Sequence, residues 1–415
     1  MELPGYYEFF CRPRIVAGHE ALDQIPGALR ELRAGTAMVV TDKGVTAAGL
    51  TGIVKKVVGG GIGIGAVADD VPPDSDLAVV HRLAGLYRRK GCDAILAVGG
   101  GSVMDTAKAV NILVSEGADD LMRFSGAGAL RRPLRPLVAV PTTAGTGSEV
   151  TLVAVVKDHR RHLKMAFVSP HLLPDLAVLD SRMTLSLPPA VTAATGMDAL
   201  THAVEAYYCL AKNPLSDGAA LAAVRLVGEH LLRVTRDPAD RDSRLAMATA
   251  ALLAGMAFSN SMVGMVHAMG HATGAVCGVA HGVCMAIYLP YGLEYNLHKR
   301  GGTMAELLLP LAGEDVYRAT PPEERARRLI ACIRKLNADL HEATGGRHAR
   351  FLSEVRDREG RPMVTREQIP EIARAAMGDG SIFYNPEELD FDDLRMVIFA
   401  AWTGEPLDGG RIRRG

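Results

Sequence analysis

At 415 residues the chain exceeds what one ordinary hydrophobic core supports, so two domains are expected. Hydrophobic residues make up 48% and charged residues 22%, the balance of a globular protein able to bury large cores. The formal net charge of −1 lacks the basic excess of nucleic-acid and anionic-membrane binders, so neither partner is expected.

The opening stretch MELPGYYEFFCRPRIVAG has no basic segment followed by an apolar run, so no secretory signal is expected there. No apolar run approaches the roughly 20 residues of a membrane-spanning helix. Cys11, Cys92, Cys209, Cys277, Cys284 and Cys332 form no CxxC pair and read as reduced, buried small hydrophobes. A cytoplasmic location is the expectation. Continuing along the chain, TAMVVTD (36–42) predicts a buried strand ending in an acid. DAILAVGGG (93–101) predicts a second that runs into glycine, and PLVAVPTT (136–143) a third. Helical patterns lie between them at DSDLAVVHRLAGLYRRKG (74–91) and SVMDTAKAVNILVSEG (102–117). This alternation predicts an α/β domain with a parallel sheet. From TLSLPPAVTAATG (184–196) onward, long Ala/Leu/Met-rich helical patterns replace the strands. The Pro188–Pro189 pair marks the boundary, which gives an α/β domain over 1–186 and an all-α domain over 187–415. The polar stretch GGRHARFLSEVRDREGRP (345–362) reads as a surface excursion.

Two segments of the α/β part suit a phosphate. AVGGGSVMDTAKAV places three glycines between a buried strand and a helix, where backbone N–H groups and the helix dipole favour an anion. Ser102 is placed to cap that helix or to bind the phosphate. PTTAGTGSEVT (141–151) sets Thr142, Thr143, Thr146, Ser148 and Thr151 around two glycines, a hydroxyl-rich loop suited to a pyrophosphate or ribose. Asp42 at a strand end suits two ribose hydroxyls and would repel a 2′-phosphate, which points to NAD rather than NADP. GIGIGA (61–66) matches the spacing of a dinucleotide fingerprint, but VADDVPP follows it and cannot begin a helix, so it is set aside.

The helical part concentrates metal-ligand chemistry. In GMDALTHAVEAY (196–207), Asp198 and His202 stand one helical turn apart amid apolar residues. In GMVHAMGHATGAVCGVAHGVCMAIYLP (264–290), His267 and His271 repeat that spacing and His281 follows. Burying such groups without partners is costly, and imidazoles with a carboxylate make a divalent-metal cage. Ligand type alone does not separate Fe(II) from Zn(II) or Mn(II). Glu205 reads equally as a residue orienting a ligand and as part of a solvated helix face.

With these motifs, together with VVTDKGV, LPPAVTAATGMDALTHAVEAY, AGMAFSNSMVGMVHAMGHATGA and HGVCMAIYLP, the chain resembles the iron-containing alcohol dehydrogenase family. The resemblance implies a dehydroquinate synthase-like fold, with a dinucleotide-binding α/β domain and a metal-binding helical domain. It implies metal ligands at Asp198, His202, His267 and His281, with His271 beside the nicotinamide as a proton relay rather than a ligand. Asp42 would hold the adenosine ribose, and Gly100, Gly101 and Ser102 the pyrophosphate. Thr142, Thr143, Thr146, Thr151 and Lys164 would line the rest of NAD, and Phe258 the substrate pocket. Fe(II) is the foremost metal and Zn(II) the second. The implied reaction is reversible oxidation of a primary alcohol to its aldehyde, with a homodimer or larger homo-oligomer as the assembly. A lyase or polyol dehydrogenase of the same fold is the alternative. Two departures stand out. VPPDSD has Pro73 where the family carries asparagine, which leaves Asp74 as a replacement for one cofactor contact. NPEEL (385–389) replaces the family's N-P-R, with Ser381 at a pocket position that is cysteine in some members.

Overall fold

The computed structural model describes residues 4–158 and 163–407. The chain separates into two compact units, one of Phe10–Ser186 and one running from Leu187 onward together with the segment before Phe10. In the first unit the strands are β1 (Arg14–Gly18), β2 (Thr36–Val40), β3 (Gly63–Ala68), β4 (Ala94–Gly99), β5 (Gly126–Ala127), β6 (Leu137–Pro141), β7 (Val153–Asp158), β8 (Leu163–Val168) and β9 (Leu176–Asp180). Its helices are α1 (Ile25–Glu31), α2 (Lys43–Ala47), α3 (Leu50–Val58), α4 (Leu77–Arg89) and α5 (Gly101–Glu116).

Six of the strands form one sheet in the order β1-β9-β6-β4-β2-β3, and every pairing is parallel. Both faces are covered, which is why the strands read as continuous apolar runs rather than alternating ones. Met38, Val40, Ile95 and Ala97 point into one core with α4 and α5, while Ala37, Val39, Leu96 and Val98 point into the other. Each fully buried Val, Leu, Ile or Met side chain among them contributes about 1.5–3 kcal/mol, and each alanine less. The stretch set aside as a false fingerprint lies on the approach to β3 and in the strand itself, and β3 leads into no immediate helix. Sequence reading did not anticipate the second sheet, in which β7 and β8 run antiparallel and β5 joins β8.

The second unit is helical: α6 (Pro189–Tyr208), α7 (Pro214–Arg236), α8 (Arg241–Ser261), α9 (Met265–Cys277), α10 (His281–Glu306), α11 (Leu308–Ala319), α12 (Arg325–Ala343), α13 (Ile369–Met377) and α14 (Phe391–Thr403). No single described helix is both long and apolar enough to cross a membrane. The 345–362 stretch is a surface excursion in part, exposed at 345–347, 356 and 358–362, but anchored between them. Ala349, Leu352 and Val355 join the core of α9, α10, α13 and α14, and His348 is buried. Its charged residues face outward while these few residues anchor an irregular loop. Cys92, Cys209 and Cys284 are buried, Cys277 and Cys332 half-buried, and Cys11 exposed; all six are free thiols.

Candidate active site

Within the α/β unit, β2 and β4 are neighbours, yet β2 leads to β3 on one side and β4 leads through α5 toward β6 on the other. Ligands of open parallel sheets bind at the carboxyl ends of strands where the connections part in this way. Asp42 follows β2 there, and one of its oxygens accepts a 2.9 Å hydrogen bond from the Val45 N–H to cap α2. Gly100 and Gly101 make the turn from β4 into α5. A Cβ on Gly100 would stand 3.2 Å from Thr143 Oγ1, and one on Gly101 would stand 3.1 Å from Thr146 Cγ2. The glycine turn and the threonine loop, distant in sequence, therefore share one edge. Ser102 does not cap α5, because Gly100 occupies the N-cap position. Its hydroxyl instead accepts a 3.1 Å hydrogen bond from the Asp74 N–H. Asp74 sits at φ +63° with its carboxylate paired to Lys157.

The threonine loop is held from beneath by Lys108 of α5, a residue that sequence reading passed over. Its buried ammonium donates to the Thr151 carbonyl at 2.7 Å, Thr151 Oγ1 at 2.9 Å and the Val153 carbonyl at 2.9 Å. Thr151 is thus buried and engaged with the lysine, whereas Thr143 and Thr146 are half-exposed and Thr142 is buried. Asp105, one turn before Lys108, accepts from Ser148 Oγ at 3.2 Å and from the Val155 N–H at 3.1 Å. Burial lowers the Lys108 ammonium to about 8 against the opposing carboxylates of Asp105 and Glu149. It raises Asp105 to about 6 and Glu149 to about 7. The D-x-x-K spacing on one helix face was the signal available in the sequence. Lys164 is exposed on β8, across the strand pair from Lys157.

Within the helical unit, Asp198 and His202 lie on α6, His267 and His271 on α9, and His281 opens α10. One donor atom from each of Asp198, His202, His267 and His281 falls within 4.8 Å of all the others. Asp198 Oδ1 lies 3.6 Å from His202 Nδ1 and 3.3 Å from His281 Nε2. A bare backbone brings His281 in. A Cβ on Gly282 would stand 2.5 Å from the Ala194 carbonyl oxygen, so α10 begins in direct contact with α6. His267 is aimed by a sharp turn, since α8 and α9 are bent by 105° across the intervening residues. Met262 in that turn holds φ +70°, and the Cys209 thiol donates to the Ser261 carbonyl at 2.8 Å. His271 stands outside the group of four. Its ring stacks on His281 with centroids 5.2 Å apart, and its Nδ1 lies 2.8 Å from Asp379 Oδ2. Phe258 stacks on His202 at 4.2 Å.

Asp198 Oδ1, His202 Nδ1 and His267 Nε2 are fully buried and have no hydrogen-bond partner. Each unsatisfied buried polar atom costs about 1–3 kcal/mol, so three converging on one point fit a shared divalent cation. Burial opposes the charge on Asp198, but the imidazoles of His202, His281 and His267 hold its carboxyl below the usual range. Burial drives His202 down to about 3 and His267 well below its ordinary value, which keeps both lone pairs unprotonated near neutral pH. Glu205 is fully buried rather than on a solvated face, and its Oε2 lies 2.5 Å from His267 Nδ1. Burial raises its carboxyl to about 7 against the hydrogen bonds it accepts.

Residues 12–181 match the iron-containing alcohol dehydrogenase family, and residues 192–402 match its C-terminal family. The chain belongs to the iron-containing alcohol dehydrogenases. It is 32% identical to the NAD-dependent methanol dehydrogenase of Bacillus methanolicus, over 94% of this chain and 98% of that one. It is 36% identical to the 1,3-propanediol dehydrogenase of Klebsiella pneumoniae, over 93% of this chain and 96% of that one. The solved structure of a 1,3-propanediol oxidoreductase superposes with a TM-score of 0.89 at 32% identity, covering 96% of this chain and 100% of that one. As a member of the family, the protein is a metal-dependent oxidoreductase that interconverts alcohols and aldehydes with NAD.

Proposed function

We propose that the substrate is a primary alcohol or its aldehyde, and that Asp198, His202, His267 and His281 hold the divalent cation. Fe(II) is the first choice and Zn(II) the second. The observation that carries this reading is the convergence of three unpartnered buried donors with His281 beside them. A cation there supplies Lewis acidity toward an alcohol or carbonyl oxygen, and NAD supplies the hydride acceptor. His271 takes and returns the hydroxyl proton. The Asp379 carboxylate keeps a proton on its Nδ1 and leaves Nε2 free to exchange one. Phe258, flat against His202, forms an apolar wall of the substrate pocket.

The unit Phe10–Ser186, rather than the expected 1–186, acts as the NAD-binding domain, and the unit from Leu187 onward acts as the metal and substrate domain. Gly100, Gly101 and Ser102 take the pyrophosphate, with Thr142, Thr143, Thr146 and Lys164 along the rest of the dinucleotide. Thr151 contributes by shaping the loop that Lys108 anchors. One Asp42 oxygen caps α2, and the other is assigned to the adenosine ribose. A cytoplasmic homodimer or larger homo-oligomer is the proposed assembly, with no nucleic-acid or membrane partner.

The experiment is a panel of primary alcohols with NAD, using protein stripped by chelator and reloaded with Fe(II) or Zn(II). Metal-dependent net NADH formation is expected. Metal binding without net NADH from any alcohol would return the lyase alternative, in which the cofactor is restored within each turnover.

A further inference from the structure

Helix α9 carries His267 yet has no side-chain cap of its own, because its N-cap residue is Gly264. The cap comes from α6 instead. Glu205 Oε1 accepts from the Val266 N–H at 2.9 Å and from the Tyr208 hydroxyl at 3.2 Å. Oε2 accepts from the His267 N–H at 3.3 Å and meets the His267 ring at Nδ1. A Cβ on Gly264 would lie 3.0 Å from Asn385 Oδ1 and 3.1 Å from Glu205 Oε1, a tight fit that the bare glycine avoids at the helix start. Asp198, His202 and Glu205 follow one another at turn spacing on α6, and the first two belong to the group of four donors. The same carboxylate therefore grips both the backbone and the ring of a residue whose other nitrogen, Nε2, is buried without a partner.

From this geometry we infer that Glu205 is a positioning residue for the metal. It fixes the ring plane and tautomer of His267 before the cation arrives, and it ties the helix bearing Asp198 and His202 to the helix bearing His267. The inference rests on the metal site proposed above. A carboxylate on the far nitrogen of a ligating imidazole raises its basicity, and losing such a partner costs about 10–100-fold in metal affinity.

Zn(II) affinity of the full chain is measured by competition with a chromophoric chelator for the wild type and for Glu205→Gln, which keeps the shape and removes the charge. Zn(II) is expected to bind Glu205→Gln about 10–100-fold more weakly. The visible bands of the Co(II)-loaded variant are expected to shift as the His267 ring reorients. NAD affinity, measured separately, is expected to hold. Equal Zn(II) affinity and an unchanged Co(II) spectrum would overturn the inference while leaving the metal site standing. Absence of Zn(II) binding to the wild type would overturn the site itself. A second measurement needs no variant. In metal-free wild type labelled with nitrogen-15 histidine, His267 is expected to carry its proton on Nδ1 both before and after Zn(II) is added. A proton on Nε2 in the metal-free protein would overturn the inference even if Glu205→Gln fails to fold.

Discussion

Asp198 and His202 show how far one residue pair can be read. Their spacing places both on one helix face, and their apolar neighbours require that something compensate them. The donors that converge on the same point as theirs lie elsewhere in the chain, on α9 and at the start of α10. His271 has the same local spacing as the proposed ligands, so spacing cannot tell it from them. Its bond to Asp379, 108 residues away, distinguishes it. His271→Ala is expected to lower kcat about 10²–10⁴-fold, the usual range for a lost acid–base group, with metal content unchanged by elemental analysis. Loss of the metal would make His271 a ligand instead. Asp379→Asn keeps the hydrogen-bond geometry available but removes the charge. It is expected to reduce kcat less than His271→Ala does, again with full metal content; an unchanged kcat would leave Asp379 as only the cap of the turn it begins. Glu205 was half legible, since sequence spacing placed it near the right face and only burial showed which way it points. Lys108 and Asp105 were legible in principle from their helical spacing. Asp379 carried no local signal.

At the scale of elements, period and punctuation made the α/β half readable. Apolar runs bounded by glycine, proline and acid matched β2, β4 and β6, and the intervening patterns matched α4 and α5. The β7–β8 hairpin was not read, because its alternating pattern interrupts the strand–helix rhythm that organised the rest. The polar 345–362 stretch misled in part through composition, since a few buried residues determine where a loop packs. The contact of α10 with α6 gives an element-scale test. Gly282→Ala places a methyl group against the Ala194 carbonyl and forces the two helices apart beside His281. Overpacking of this kind costs about 1–3 kcal/mol. The expected outcome is weaker Zn(II) binding in chelator competition with NAD affinity retained. Wild-type Zn(II) affinity in Gly282→Ala would show that the helix contact does not place His281.

For the whole molecule, the chain divides into two compact units, and the group of four donors lies in the helical one. A cation at 1,000 times its Kd adds about 4 kcal/mol of stability to the state that binds it, so chelation is expected to lower the melting temperature of the helical unit. Acid should act on the same unit through His348. Burial lowers its imidazole from the ordinary 6.5 to about 4, while its Nε2 bonds to Asn337 at 3.1 Å. The folded state therefore resists a proton that the unfolded chain accepts. The contribution of this histidine to stability is present above pH 6.5 and is lost as the pH falls toward 4. By pH 5 the loss is on the order of 2 kcal/mol. Thermal melts of metal-free protein between pH 7 and 5 should show a slope to which the buried His202 and His267 also contribute, and His348→Gln should reduce it by the share of one imidazole. An unaltered slope in that variant would assign the acid sensitivity to other groups.

The strand–helix alternation around β2, β4 and β6, the two-part architecture and the chemical types at the site were determined by the sequence alone, because periodicity, glycine placement and helical spacing are local. Which donors meet, which histidine stands apart, and that Glu205 holds the start of α9 and Lys108 the threonine loop were decided only by tertiary structure. Those facts depend on close approaches between distant segments, such as Gly282 on Ala194 and Gly101 on Thr146. No local pattern encodes the distance across them.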